Sequence, residues 1–272
     1  NYILYSATRP DNVNSTYDGK DSVSKINVSH QVNNDVMIYG TVSEGYRPGG
    51  NNRTSQLGAT YDADFLTNYE FGFKTILMDG KVRLNGAAYM MKWDDIQLGW
   101  FDPDISLLGL VDNIGAAQSK GFEIDSKMIV SDKLTVTFSY AKNDAKLTED
   151  YNLRGSLAAK KNQDLPFTPD RKYNFGMTRD LSDSSRIDFN YVYVDQMWND
   201  LFYDNRVMQG AYSIGNLSFT KDLGDQASLQ IYVDNVFDEI AELFINVEDI
   251  QPLTTVNRPR TIGVKYSWKM NK

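Results

Sequence analysis

The sequence predicts an all-β chain, an antiparallel meander of about twelve long strands forming a portion of a transmembrane β-barrel. Three observations carry this reading. Apolar residues recur with period two, the mark of strands with one greasy and one wet face. Short polar turns alternate with long Gly-, Asn-, Asp- and Pro-rich connections along the 272 residues. No window approaches the ~18 uninterrupted apolar residues that a spanning helix needs.

The alternation repeats from one end of the chain to the other. Ile26, Val28, His30 and Val32 oppose Lys25, Asn27, Ser29 and Gln31. Tyr69, Phe71 and Phe73 oppose Glu70, Gly72 and Lys74, and the stretch from Lys81 to Gln97 is long enough to cross a bilayer and continue beyond it as one tilted strand. Phe122, Ile124 and Met128 oppose Glu123, Asp125 and Lys127; Leu134, Val136, Phe138 and Tyr140 oppose Thr135, Thr137 and Ser139. Ile187, Phe189, Tyr191 and Tyr193 share a face, although Val192 and Val194 interrupt the polar one. Leu229, Ile231 and Val233 follow, and Ile262, Val264, Tyr266 and Trp268 close the series. Tight turns are predicted at Asn33-Asn34-Asp35, Met78-Asp79-Gly80, Ser131-Asp132-Lys133, Ser182-Asp183-Ser184 and Gly224-Asp225-Gln226. Long connections are predicted near 8–21, 46–63, 98–113, 147–166, 200–209 and 238–257. Strict alternation of the two lengths puts every tight turn at one end of the sheet and every long loop at the other, as in outer-membrane barrels.

Composition narrows the function. Lys and Arg number 28 against 36 Asp and Glu, a net charge of −8 that argues against nucleic acid as a partner. With no cysteine, disulfides, thiolate metal sites and cysteine nucleophiles are excluded. A single histidine leaves little material for a metal centre or a triad. His30 lies on the apolar face beside a short turn, while Ser29 points the other way, so the two form no nucleophile–base pair. Adjacent carboxylates at Asp94-Asp95 and Glu248-Asp249 diverge in a strand, and the acidic run Asp11 to Asp21 lacks calcium-loop spacing. No enzyme activity, cofactor or metal is therefore expected.

The charges Glu123, Asp125 and Lys127 fit a solvated lumen. Tyr39, Tyr46, Tyr89, Trp93, Tyr140, Tyr173, Tyr212, Tyr266 and Trp268 sit near strand ends as candidate interfacial girdles. Arg47, with Gly49 and Gly50 after Pro48, falls where an outward strand becomes a loop. Arg47 is the one candidate ligand-binding residue; the simpler reading is a solvated arginine beside a turn that needs positive φ at glycine.

Several segments, in order, resemble the C-terminal barrel portion of the TonB-dependent outer-membrane receptors. They are Ser43-Glu44-Gly45-Tyr46-Arg47-Pro48-Gly49-Gly50, Asn68-Tyr69-Glu70-Phe71-Gly72-Phe73-Lys74, Trp93-Asp94-Asp95-Ile96-Gln97, Asn113-Ile114-Gly115-Ala116-Ala117, Lys120-Gly121-Phe122-Glu123, Asp234-Asn235-Val236-Phe237-Asp238 and Arg258-Pro259-Arg260-Thr261-Ile262-Gly263-Val264. The resemblance implies a 22-stranded barrel in the bacterial outer membrane, of which residues 1–272 would be an open half. It also implies an N-terminal plug domain elsewhere in the full-length chain, energy from the TonB complex, and import of a bulky scarce solute: a ferric siderophore, cobalamin or an oligosaccharide. The start at Asn1-Tyr2-Ile3, without initiator Met or signal-like block, reads as the downstream part of a longer chain. The family usually ends on an aromatic residue, whereas Lys269-Met270-Asn271-Lys272 follow Trp268 here. The rival expectation is a self-contained twelve-stranded barrel, a porin or autotransporter translocator, closed by pairing of Tyr2–Ser6 with Thr261–Trp268.

Overall fold

The computed structural model describes residues 15–52, 60–102, 106–153, 156–202, 206–247 and 253–269. Among these there are twenty-one strands and no helix. In chain order they are β1 Lys25–Asn33, β2 Val36–Arg47, β3 Gly50–Asn51, β4 Thr60–Tyr61, β5 Asp64–Leu77, β6 Val82–Asp94 and β7 Gln97–Asp102. Next come β8 Ser106–Asn113, β9 Ala117–Ser131, β10 Leu134–Leu147, β11 Tyr151–Leu153, β12 Ser156–Ala159, β13 Arg171–Ser182 and β14 Ser185–Val194. The last seven are β15 Met197–Trp198, β16 Met208–Gln209, β17 Tyr212–Asp222, β18 Ala227–Asp234, β19 Glu242–Asn246, β20 Leu253–Val256 and β21 Thr261–Trp268.

Eleven of these strands form one antiparallel sheet in the order β1-β2-β5-β6-β9-β10-β13-β14-β17-β18-β21. Each wall strand pairs with the wall strand before and after it along the chain, so the wall is a pure meander. The five turns fall where the alternating sequence is interrupted, and their chemistry fits. Met78, Asp79 and Gly80 take φ of 55°, 54° and 86°, and Gly224 takes 78°, the left-handed conformation such reversals require. The long connections at the opposite end each fold back as a two-stranded hairpin: β3-β4, β7-β8, β11-β12, β15-β16 and β19-β20.

The sheet has eleven strands among the described residues, in line with the about twelve expected. One expectation needs correction: the stretch Lys81 to Gln97 is not continuous. β6 stops at Asp94, Asp95 turns with φ 55°, and Gln97 starts the separate hairpin β7-β8. That break lets the loop leave the wall. The sheet ends at β1 and β21, which have one neighbour each, so it is open among the described residues. Tyr2–Ser6, the start of the acidic run Asp11 to Asp21, and Glu248-Asp249 lie outside the described residues.

Register sorts the side chains cleanly. One row runs Val28↔Gly40↔Phe71↔Ala88↔Phe122 across five strands, and another runs Phe189↔Leu217↔Val233↔Ile262. No layer covers this apolar face: Phe71, Ile262, Tyr266 and Trp268 are each 59–71% exposed. His30 lies on it opposite Ile38. The other face is polar. Asn27 donates to Thr41 at 2.6 Å, Tyr39 to Glu70 at 2.7 Å and Asn85 to Asp125 at 3.1 Å across strands. Further along this face, an open cleft of about 600 Å³ is lined by Thr135, Thr137, Thr178, Asp188, Asn190 and Lys265.

The candidate girdle divides between the two faces. Tyr46, Tyr140, Tyr173, Tyr266 and Trp268 are on the apolar side, Tyr46 stacking on Phe65 and Tyr140 meeting Phe122. Tyr39, Tyr89, Trp93 and Tyr212 are on the polar side by register, which corrects their assignment. Tyr39 and Tyr89 lie against Gly72 and Gly121, where a Cβ would come within 2.5 Å and 2.7 Å of the tyrosine rings or hydroxyls. A glycine on the neighbouring strand lets an inward tyrosine lie flat along the wall instead of filling the passage.

Candidate functional site

Burial is concentrated at the long-loop end. Ile96, Ile114, Ala117, Leu147, Tyr151, Ala159 and Leu201 form the buried cluster, with Trp93, Leu98, Leu165 and Phe202 packed against it. The wall residues that enter it, Trp93, Ala117 and Leu147, all have the polar-face register. The polar face thus turns apolar at its rim, and the long loops fold over that face rather than splaying outward. Val192 and Val194, which broke the sequence alternation, pair with Asn174 and Lys172 near the same rim, and Val194 is buried.

The loops are knotted together by side chains bonded to backbone groups. Asp64, at the start of β5, is 2% exposed. Its carboxylate accepts from Arg47 through Nε at 2.9 Å and through Nη2, from Trp93 Nε1 at 3.0 Å and from the Gln97 amide at 3.2 Å. Arg47 in turn lies 5.1 Å over the Trp93 ring and donates to the Gln97 carbonyl at 3.0 Å. Gln97 returns the favour to loop 48–63, donating to Pro48 O at 3.0 Å and Asp62 O at 2.9 Å. Asn52 clasps both backbone groups of Val111, at 2.7 Å and 2.9 Å, and Asn113 bonds Asp62 and Asp95.

The same logic links the remaining loops. Tyr151 donates to Asp112 at 2.6 Å, tying loop 148–170 to loop 95–116. Burial first, and then the bond to Asp112, push the Tyr151 hydroxyl well above its usual pKa of 10.0. Gln163 donates to Leu201 O, and Arg206 to Asp164 O at 3.0 Å, tying 148–170 to 195–211. Asn199 donates to Ile245 O at 3.2 Å, adding loop 235–260. All five long loops are one hydrogen-bonded belt. Fixing them together holds the loops in one arrangement, so that less conformational entropy is left to lose on any later contact.

Arg47 therefore sits at the loop junction anticipated from sequence, but its guanidinium is engaged by Asp64 while half its side chain remains exposed. Gly49 and Gly50 do not adopt positive φ; they are small because Tyr61 crosses there, with a Cβ at Gly49 meeting Tyr61 O at 2.3 Å. Sequence reasoning missed Asp64, Gln97, Asn52 and Tyr151. Their partners lie up to 59 residues away, and only Gln97 fell within a quoted motif. Among the described residues, no three His, Asp or Glu side chains gather to hold a metal ion.

The family model described as "TonB dependent receptor-like, beta-barrel" matches residues 4–236. The pesticin receptor of Yersinia pestis is 24% identical over 255 residues, 89% of this chain and 35% of that protein. The metal-pseudopaline receptor CntO of Pseudomonas aeruginosa is 29% identical over 133 residues, 48% of this chain and 18% of that one. Among solved structures, the ferric yersiniabactin uptake receptor FyuA of Yersinia pestis superposes with a TM-score of 0.75 at 21% identity, covering 90% of this chain and 36% of that chain. The siderophore receptor PiuA of Acinetobacter baumannii gives 0.72 at 17% identity, covering 89% and 35%. The chain spans about a third or less of these relatives' length. The chain belongs to the TonB-dependent receptors of the bacterial outer membrane, as a stretch of their β-barrel wall with its long loops.

Proposed function

We propose that the full-length protein imports a metal chelate of the ferric-siderophore class, and that residues 1–272 are barrel wall and ligand-recognising outer loops of that receptor. The observation that carries the proposal is the belt of loops folded over the polar face, anchored on Asp64, Tyr151 and Asn199. A large polar solute needs a preorganised mouth above a hydrophilic passage; the belt of loops supports the first and the polar face of the wall supports the second. Relatives named for metal–pseudopaline and for ferric yersiniabactin support the same solute class. In this reading the wall is passive. A plug domain elsewhere in the chain closes the passage, and the TonB complex supplies the work of opening it. Arg47, half-exposed at the rim, contributes to ligand binding through the positions of its loops.

The test is uptake of ⁵⁵Fe-loaded siderophores by cells carrying the full-length gene under iron limitation. Deleting the gene abolishes accumulation of one chelate class, as does dissipating the inner-membrane proton gradient. Uptake that persists in de-energised cells overturns active transport, and unchanged uptake of every chelate on deletion overturns the substrate class.

A further inference from the structure

The polar face of the wall is not uniform across its eleven strands. On β5, β6 and β9 it carries six charges. Glu70, Glu123 and Asp125 lie toward the long loops, and Lys74, Arg83 and Lys127 toward the tight turns. All but Glu70 are exposed. Arg83 lies directly opposite Lys127. Like charges so placed are destabilising, so the sheet's own stability does not explain them. None of the six is in an ion pair among the described residues.

On β10, β13, β14, β17 and β18 the same face is built from hydroxyls and amides bonded to one another. Register aligns Thr135↔Thr178↔Asp188↔Ser218 in one row and Thr137↔Gly176↔Asn190↔Asn216 in the next. Thr178 donates to Asp188 at 2.8 Å, Asn190 to Asn174 at 2.9 Å and Gln230 to Ser218 at 3.3 Å. Asp188 is also 3.2 Å from Arg186, so the one carboxylate in these two rows is paired. Tyr232 lies flat against Gly263, which leaves no room there for a Cβ. These side chains are short or flattened, and the open cleft of about 600 Å³ runs over them, edged by Asp234 and Lys265 on the last two wall strands. The two sectors suit different tasks. A domain that must stay seated needs complementary charges set over unpaired ones. A solute in transit needs many weak contacts that release it as readily as they take it.

We propose that the plug domain is anchored on the charged sector of β5, β6 and β9, and that the solute passes along the neutral sector of β10, β13, β14 and β17 when the receptor is energised. The inference rests on the transport reading above and adds the side of the barrel on which the passage opens. The plug surface over the charged sector carries the reverse order, with cations facing Glu70, Glu123 and Asp125 and carboxylates facing Lys74, Arg83 and Lys127. Its contacts there persist while those over the neutral sector part, so the gap forms against Thr178, Asn190 and Ser218.

The test uses a cysteine-free full-length receptor in living cells. Single substitutions Asn190→Cys and Ser218→Cys report the neutral sector, and Ala87→Cys, beside Glu123, reports the charged one. A bulky hydrophilic maleimide is added together with ⁵⁵Fe-loaded catecholate, hydroxamate and phenolate siderophores. Labelling is compared between energised cells and cells whose proton gradient is dissipated. Heat-modifiable migration on a gel reports that each variant is assembled. The neutral-sector cysteines label several-fold faster in energised cells, and once labelled they block ⁵⁵Fe uptake. Ala87→Cys labels at one slow rate in both states. Energised labelling of Ala87→Cys that equals or exceeds that of the neutral sector overturns the proposal, as does neutral-sector labelling indifferent to energisation. The anchor is read separately, by ion conductance of the purified receptor in planar bilayers. Arg83→Glu with Lys127→Glu raises conductance several-fold, whereas Lys25→Glu, on the polar face outside both sectors, does not. Equal conductance of the double variant and the wild type overturns the anchor. A wild type that imports none of the chelates, with the conductance difference intact, sinks the transport reading alone.

Discussion

Asp64 shows how much of the loop layer one side chain can organise. Its carboxylate collects donors from Arg47, Trp93 and Gln97, bringing the end of β2, the end of β6 and the start of β7 together at one acceptor. Removing it leaves the Trp93 indole N–H and the Gln97 amide without their acceptor, at a cost of about 2 kcal/mol confined to the loops. Asp64→Ala in the full-length receptor should therefore speed hydrogen exchange of the Arg47 and Gln97 amides several-fold while heat-modifiable migration is unchanged. Equal exchange rates would show that this junction is held by other contacts. The motif containing Arg47 was legible as a strand-to-loop junction because Pro and Gly interrupt the alternation. Its acceptor was not, because an aspartate opening a strand looks like any solvated turn residue until the fold brings Trp93 and Gln97 to it.

At the scale of strands, period two carried nearly all the information. Each tight turn falls where the alternation breaks on Asn, Asp or Gly, and each strand's apolar residues share one face. Strand ends were less legible: Asp95 leaves the wall although the alternation through Ile96 and Gln97 continues it. The aromatic girdle was misread in part because tyrosine suits either a lipid interface or a glycine-backed polar wall, and only the neighbour's identity separates them. The two faces predict opposite responses to charge. Phe71, 60% exposed in the middle of β5, should tolerate lysine poorly, losing about 2–4 kcal/mol as expected for a cation near the bilayer midplane. Thr137→Lys on the polar face of β10 should change stability by less than about 1 kcal/mol. Denaturant titration of the full-length receptor in liposomes checks both, and equal losses would reverse the assignment of faces.

For the molecule as a whole, the open sheet is the decisive feature. Among the described residues, β1 and β21 each leave one row of backbone groups unpaired, which a hydrocarbon layer cannot satisfy and which invites pairing with further strands. In the 272-residue chain held in detergent, amides of Lys25–Asn33 and Thr261–Trp268 should exchange orders of magnitude faster than those of β9 and β10. In the full-length receptor they should become as protected as the centre of the wall. Fast exchange at both edges of the full-length protein would mean that the barrel does not close through them. What the sequence determined alone was the wall: its strands, turns, faces and family, because alternation and turn chemistry are local and each residue's face follows from its neighbours one and two positions away. Only the tertiary structure decided the mouth. The loops' inward fold over the polar rim and their belt of bonds through Asp64, Asn52, Tyr151 and Asn199 join residues far apart in the chain. Contacts of that kind depend on sheet register and loop closure, which no periodicity along the chain encodes.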